Sequence, residues 1–182
     1  YSFSSFFPSL QTEFSANRAD VSFAFALAVF LYFGIGAFAG VVADRTHVRW
    51  VAGFGIACLG TGLYWASRAA SLAEFYAAFG LAIGFGVGCS YVPAIAAVQP
   101  WFVKRRALAA GIASSGIGLG TLVVPLLAVR ANAAVGWRAT LEILAACTLV
   151  LGMASILLLE KSPQRKGLNP DDAEHAPAGG HA

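Results

Sequence analysis

Apolar residues run through the chain in five long uncharged blocks, at residues 21–43, 50–67, 75–98, 107–129 and 143–159. A bilayer's hydrocarbon core is about 30 Å thick and a helix rises about 1.5 Å per residue, so about 20 apolar residues cross it. Each block is close to that length. Backbone groups inside a membrane must pair within their own segment, so the spans are expected to be helices. A shorter apolar run opens the chain, from Tyr1 to Leu10, with no initiator Met and no secretory signal pattern. It reads as the end of a helix whose beginning lies upstream. The expected class is an all-α integral membrane protein.

Composition supports this reading. Hydrophobic residues make up 58% of the chain and charged residues 12%, against about 25% charged in a typical soluble domain. The mean hydropathy is +0.72. The net charge of +3 is small and its cations cluster at span ends, so no nucleic-acid partner is expected. Cys58, Cys89 and Cys147 fall inside apolar blocks. They read as small packing residues, and no spacing of Cys and His suggests a metal site.

Lys and Arg set the orientation, because cytoplasmic loops carry the excess. With the opening run counted as helix one, Arg45, Arg49, Lys104, Arg105, Arg106, Lys161, Arg165 and Lys166 fall on one side. Arg18, Arg68, Arg130 and Arg138 fall on the other. The first side is expected to be cytoplasmic. Asn17 is placed to cap the second helix, with Asp20 in its first turn. Trp50, Trp65, Trp101 and Trp137 are expected at water–lipid boundaries. Gly36 and Gly40, Gly80, Gly84 and Gly88, and Gly116 and Gly120 recur at four-residue spacing, which lets membrane helices approach closely. Spacing alone does not separate a packing role from a sliding surface. Glu142 is placed to pair with Arg138 one turn earlier.

Two loops carry a family resemblance. Gly40, Ala43, Asp44, Arg45 and Arg49 match the loop between helices two and three of the major facilitator superfamily, with His47 where a second glycine is usual. The run from Trp101 through Lys104, Arg105 and Arg106 to Gly111 and Gly116 resembles the monocarboxylate-transporter-like branch. Tyr91 with Pro93, Gly136 with Trp137 and Arg138, Phe6 to Pro8, and Arg18 with Asp20 and Ser22 resemble it too. The resemblance implies the N-terminal six-helix half of that fold, with the first helix truncated. The half-domain would cover 1–159. Residues 1–12 would end helix one, and helices two to six would cover 21–43, 50–67, 73–99, 107–130 and 138–159. Residues 160–182 would be a disordered cytoplasmic tail or linker. A missing C-terminal half would be the partner, and helices one, two, four and five would face a shared cavity. Asp44 would stabilise the closed cytoplasmic side, with Arg45 and Arg49 in the same charge cluster. The plainer reading of Arg49 and of Lys104, Arg105 and Arg106 is membrane anchoring.

The implied function is secondary active transport of a small organic anion, a monocarboxylate or dicarboxylate, by proton symport or exchange. No cofactor is implied beyond a coupled proton or counter-anion. The spans hold almost no charge, so the candidate cavity residues are hydroxyl-bearing: Tyr1, Ser5, Tyr32, Tyr91, Ser114 and Thr121. The plainer reading of Ser114 and Thr121 is bonding to a preceding carbonyl. Alternatives are a carrier of a neutral metabolite, sugar or drug, and a non-transporting membrane stub or partner-binding fragment. An enzyme is disfavoured, since no span gathers a catalytic set. Alanine-rich composition and compact loops suggest a bacterial inner membrane.

Overall fold

A computed structural model of the chain describes residues 2–98, 102 and 106–158. A 3₁₀ segment, Ser2–Phe6, leads into α1 (Phe7–Phe14). Next come α2 (Arg18–Arg45), α3 (Val48–Arg68) and a single turn, α4 (Leu72–Phe75). A π-helical stretch, Tyr76–Ile83, joins α4 to α5 (Gly84–Val98). The last helix, α6 (Arg106–Leu158), is broken at Gly136, whose φ of 82° lies outside helical space. That residue separates an N-terminal arm, 106–135, from a C-terminal arm, 137–158.

Among the described residues, three helices are long and apolar enough to cross a membrane: Arg18–Arg45, Leu72–Ala97 and Ala107–Leu157. The last is 51 residues long, enough for two crossings of a core about 30 Å thick. The five blocks therefore map onto fewer continuous helices than expected. The 21-residue α3 is long enough but less apolar. Its four glycines, Thr61, Ser67 and two terminal arginines dilute it, and α5 and the C-terminal arm of α6 cover it instead of lipid.

Close approach of backbones determines the packing. Gly80, Gly84 and Gly88 lie against Leu27, Ala28 and Tyr32 of α2. On another side of the same rod, Gly86 meets Leu59 and Gly55 of α3. A Cβ on Gly55 would sit 2.6 Å from the Ser90 backbone nitrogen. The C-terminal arm of α6 runs antiparallel to α3, with Leu149 at Gly60 and Gly152 at Ile56. Gly36 and Gly40 of α2 and the glycines of α5 are thus packing residues, whereas Gly34 of α2 has nothing within 4 Å of a built Cβ. Those of the N-terminal arm differ: Gly111, Gly116, Gly118 and Gly120 have nothing within 4 Å of a built Cβ.

The interior is made largely of small residues. Ala24, Ala28, Ala39, Ala52, Ala66 and Ala78 are buried, whereas Phe30, Phe33, Phe38, Trp50, Leu122 and Leu157 are each about 70% exposed or more. That inversion suits a lipid solvent, in which large apolar side chains lose nothing by facing outward.

Gly55→Ala and Gly86→Ala should each destabilise the bundle by about 1–3 kcal/mol through overpacking, while Gly116→Ala should be near neutral. Thermal melting of the detergent-solubilised chain checks this; equal melting shifts at the three positions would contradict the packing scheme.

Candidate functional site

A half-open cavity of about 450 Å³ lies within the bundle. Phe3 and Phe6 line it from the start of the chain, Phe25, Val29, Tyr32 and Phe33 from α2, and Phe79 and Ile83 from the π stretch. Val87 and Tyr91 of α5 and Ile117 of the N-terminal arm complete much of the wall. Leu63 of α3 and Leu141 and Leu144 of the C-terminal arm also reach it, so helices expected to be peripheral contribute. The rings of Tyr32 and Tyr91 meet edge to face, with centroids 6.0 Å apart. Phe3 stacks on Phe25 at 5.7 Å and lies 4.6 Å from Phe79.

The other hydroxyl-bearing candidates lie outside this lining. Ser5 donates to the Pro125 carbonyl at 3.5 Å. Thr121 donates back to Gly118 at 2.8 Å, as Ser115 does to Ile112. Ser114 is exposed on the N-terminal arm. Tyr1, Trp101, Lys104, Arg105, the side chain of Arg106 and the tail 160–182 lie outside the described residues. A polar contact the sequence did not suggest joins Asn132 to helix one. Its amide donates to Ser9 Oγ at 3.1 Å and to the Ser5 carbonyl at 3.3 Å. A lone Asn near the end of an apolar block was the available signal.

At the C-terminal end of α2, Gly40, Ala43 and Asp44 border a small cleft of about 60 Å³ with Val48, Pro93, Ala96 and Ala97. Asp44 and Arg45 are exposed there. Arg49 donates through Nη2 to the Leu157 carbonyl at 2.8 Å. It therefore satisfies a helix-end acceptor that has no partner within its own helix.

Charge at the opposite end is arranged differently from the expected Arg138–Glu142 pair. Glu142 pairs with Arg68 at 3.0 Å. Arg138 pairs with Glu13 at 3.0 Å and donates to the carbonyls of Ser67 and Ala69. The turn at Gly136 points Arg138 at the end of α3, whose last carbonyls lack helical partners. Trp137 is not at a lipid boundary. It is 7% exposed and packs against Phe14 and Phe75, while Trp50 and Trp65 do face outward. Asn17 and Asp20 form the expected cap, reciprocally, at 2.9 and 3.1 Å.

A half-open cavity thus lies among long apolar helices, with Gly40, Asp44 and Arg45 at the C-terminal end of α2. The family model described as Major Facilitator Superfamily matches residues 1–180. The chain belongs to that superfamily. As a superfamily member it is a multi-pass membrane protein from a family of transporters, not an enzyme. It is 32% identical over 160 residues to monocarboxylate transporter 14 of Homo sapiens, covering 88% of this chain and 31% of that protein. Monocarboxylate transporter 12 of Homo sapiens is 31% identical over 153 residues, 84% of this chain and 30% of its own length. The fujikurins efflux protein of Gibberella fujikuroi is 31% identical over 150 residues, 82% and 32% respectively. The chain therefore spans less than a third of the length of these curated relatives. They are human and fungal proteins, and the expectation of a bacterial inner membrane finds no support in them.

Arg138→Met should cost about 1.5–3 kcal/mol, because it leaves a carboxylate and two carbonyls without a charged donor. Arg68→Met should cost at most about 1 kcal/mol, since its side chain is 62% exposed. Melting curves of the two variants, compared with the parent chain, measure the difference. A larger loss for Arg68→Met would contradict this reading of the network.

Proposed function

We propose that the chain contributes the N-terminal half of a secondary active transporter for a small organic anion, working by proton symport or exchange. The observation that carries this reading is the edge-to-face pair of Tyr32 and Tyr91 on the wall of a cavity of about 450 Å³. Superfamily membership and relatives named monocarboxylate transporters support it. Phenol groups donate hydrogen bonds to a carboxylate while their rings leave the rest of the wall apolar. In this proposal a second half, such as the longer relatives have room for, closes the open side of the cavity. The substrate then passes by rocking of one half against the other.

The proposed orientation places Asp44, Arg45, Arg49 and the tail in the cytoplasm, following the bias of Lys and Arg. Gly40 and Asp44 would form the cytoplasmic gate. The exposed Asp44 at the mouth of the small cleft favours a contact made to the opposing half. Lys104, Arg105 and Arg106 would anchor the second cytoplasmic loop.

The test is uptake by proteoliposomes holding the open reading frame that carries this chain, expressed whole. Labelled lactate should enter saturably and faster with an acidic exterior. Tyr91→Phe should raise KM roughly ten-fold, the loss of one hydrogen bond to a charged group. An absence of saturable uptake for every organic acid tried would remove the proposal.

Asp44→Asn should lower the uptake rate at least several-fold at unchanged surface expression, with substrate affinity little altered, because it shifts the balance of states and not the site. Arg106→Gln should be milder, since Lys104 and Arg105 keep the positive cluster. Normal transport by Asp44→Asn would leave the loop as an anchor without a gating role.

A further inference from the structure

We infer that Asn132 is a positioning residue: with Arg138, it fixes the register of the opening segment, Ser2–Phe14, along α6, and so sets where Phe3 and Phe6 stand on the cavity wall. The consequence for transport rests on the transport reading above. The register itself does not.

The segment presents two neighbouring faces. Ser5, Ser9 and Glu13 stand four residues apart, one per turn, and so share a side. All three meet α6. Ser5 Oγ donates to the Pro125 carbonyl at 3.5 Å. Asn132 Nδ2 donates to Ser9 Oγ at 3.1 Å and to the Ser5 carbonyl at 3.3 Å. Arg138 Nη2 donates to Glu13 Oε1 at 3.0 Å. The partners follow one another in the same order along both elements, so the segment and α6 run in the same direction. The second face holds Phe3, Phe6 and Leu10, all buried, and Phe3 and Phe6 line the cavity. A slip of one residue turns the segment by about 100°. It would take the serines from their partners and the phenylalanines from the wall together.

Asn132 meets an acceptor that the local backbone leaves short of a donor. Ser5 lies in the 3₁₀ segment Ser2–Phe6, where a carbonyl bonds the N–H three residues on. For Ser5 that residue is Pro8, which has no N–H. The Asn132 amide supplies one. Interhelical hydrogen bonds of this kind help join helices in lipid.

The contacts also straddle the break at Gly136. Pro125 and Asn132 belong to the N-terminal arm of α6 and Arg138 to the C-terminal arm. Phe14 backs the second contact by packing on Trp137 at 6.1 Å. The segment therefore bridges the two arms. The Arg138–Glu13 pair is 39% and 45% exposed, and an ion pair open to solvent restrains little. Asn132 is half-buried and is the stronger of the two restraints.

The experiment uses the complete open reading frame in proteoliposomes, with Cys58, Cys89 and Cys147 replaced. Spin labels at the exposed Thr12 and Phe38 report the segment against the far end of α2. Labels at Phe38 and Trp65, on α2 and α3, report the rest of the bundle. In Asn132→Leu the Thr12–Phe38 distance distribution should broaden about two-fold or more, and in Ser9→Ala by a smaller factor, with Phe38–Trp65 unchanged in both. Saturable lactate uptake by unlabelled Asn132→Leu should show KM raised about three-fold or more, since only molecules in register bind and apparent affinity falls with their fraction. The maximal rate per inserted protein should change less than KM. Asn132→Gln, which keeps the amide, should recover at least half of both effects. An unchanged Thr12–Phe38 distribution in Asn132→Leu and Ser9→Ala overturns the inference. So does equal broadening of both label pairs, or a lower maximal rate with KM unaltered, either of which marks a general loss of stability. Where Asn132→Leu does not insert, Ser9→Ala decides by the same measures. Absence of saturable uptake by the parent protein removes the transport reading, and the distance distributions still decide the register.

Discussion

Backbone-to-backbone contact between helices is the constraint on which the rest of the structure depends. α5 with its π-helical entry lies between α2 and α3, and glycines on both sides bring main chains within van der Waals reach. Apolar side chains gain nothing from leaving lipid for a protein interior, so dispersion across a close interface must supply the cohesion. This explains why the interior is rich in alanine and the large aromatics point outward. It also bounds the cavity. The open volume is lined mainly by phenylalanine, tyrosine and branched aliphatic side chains, with Gly84 at its edge.

The two ends of the bundle are secured by different means. At the end bearing Arg138, charged side chains reach main-chain acceptors of other segments, so α1, α3 and α6 are tied at one place. Thr140 closes the adjacent turn by donating to the Gly136 carbonyl. At the other end Arg49 donates to the Leu157 carbonyl of α6, and Asp44 and Arg45 are exposed to solvent.

Much of this was legible in the sequence. Uncharged blocks gave the helical membrane class, and Asn17 with Asp20 gave a cap that forms in both directions. Glycine spacing gave the close faces of α2 and α5. For Gly116 and Gly120 it gave a smooth face that nothing within 4 Å covers, since four-residue spacing does not say whether anything does. Glu142 was assigned the wrong arginine for a related reason. Helical spacing knows only neighbours on one helix, and the turn at Gly136 carries Arg138 toward α3. Trp137 was read as an interfacial ring, since sequence cannot tell a lipid boundary from a buried site at the same depth. Among the hydroxyl-bearing candidates the plainer reading of Ser114 and Thr121 already pointed away from a site, and tertiary placement puts Tyr32 and Tyr91 on the cavity wall and those two outside it.

The π-helical stretch Tyr76–Ile83 had no signal in the sequence, yet it leads directly into the two-sided contact of α5. A residue in an i→i+5 turn sweeps a smaller angle about the axis than one in an α-turn. Over this stretch the deficit accumulates, so the glycines beyond it are rotated relative to where an uninterrupted α-helix would present them. Beyond it, Gly86 faces α3 and Gly88 faces α2. The stretch is in effect a phase shifter, equivalent to a tolerated insertion. Natural length variation inside it would be read by the remainder of the helix as a turn of the whole rod, whereas the same variation in the segment between α2 and α3 would be absorbed locally.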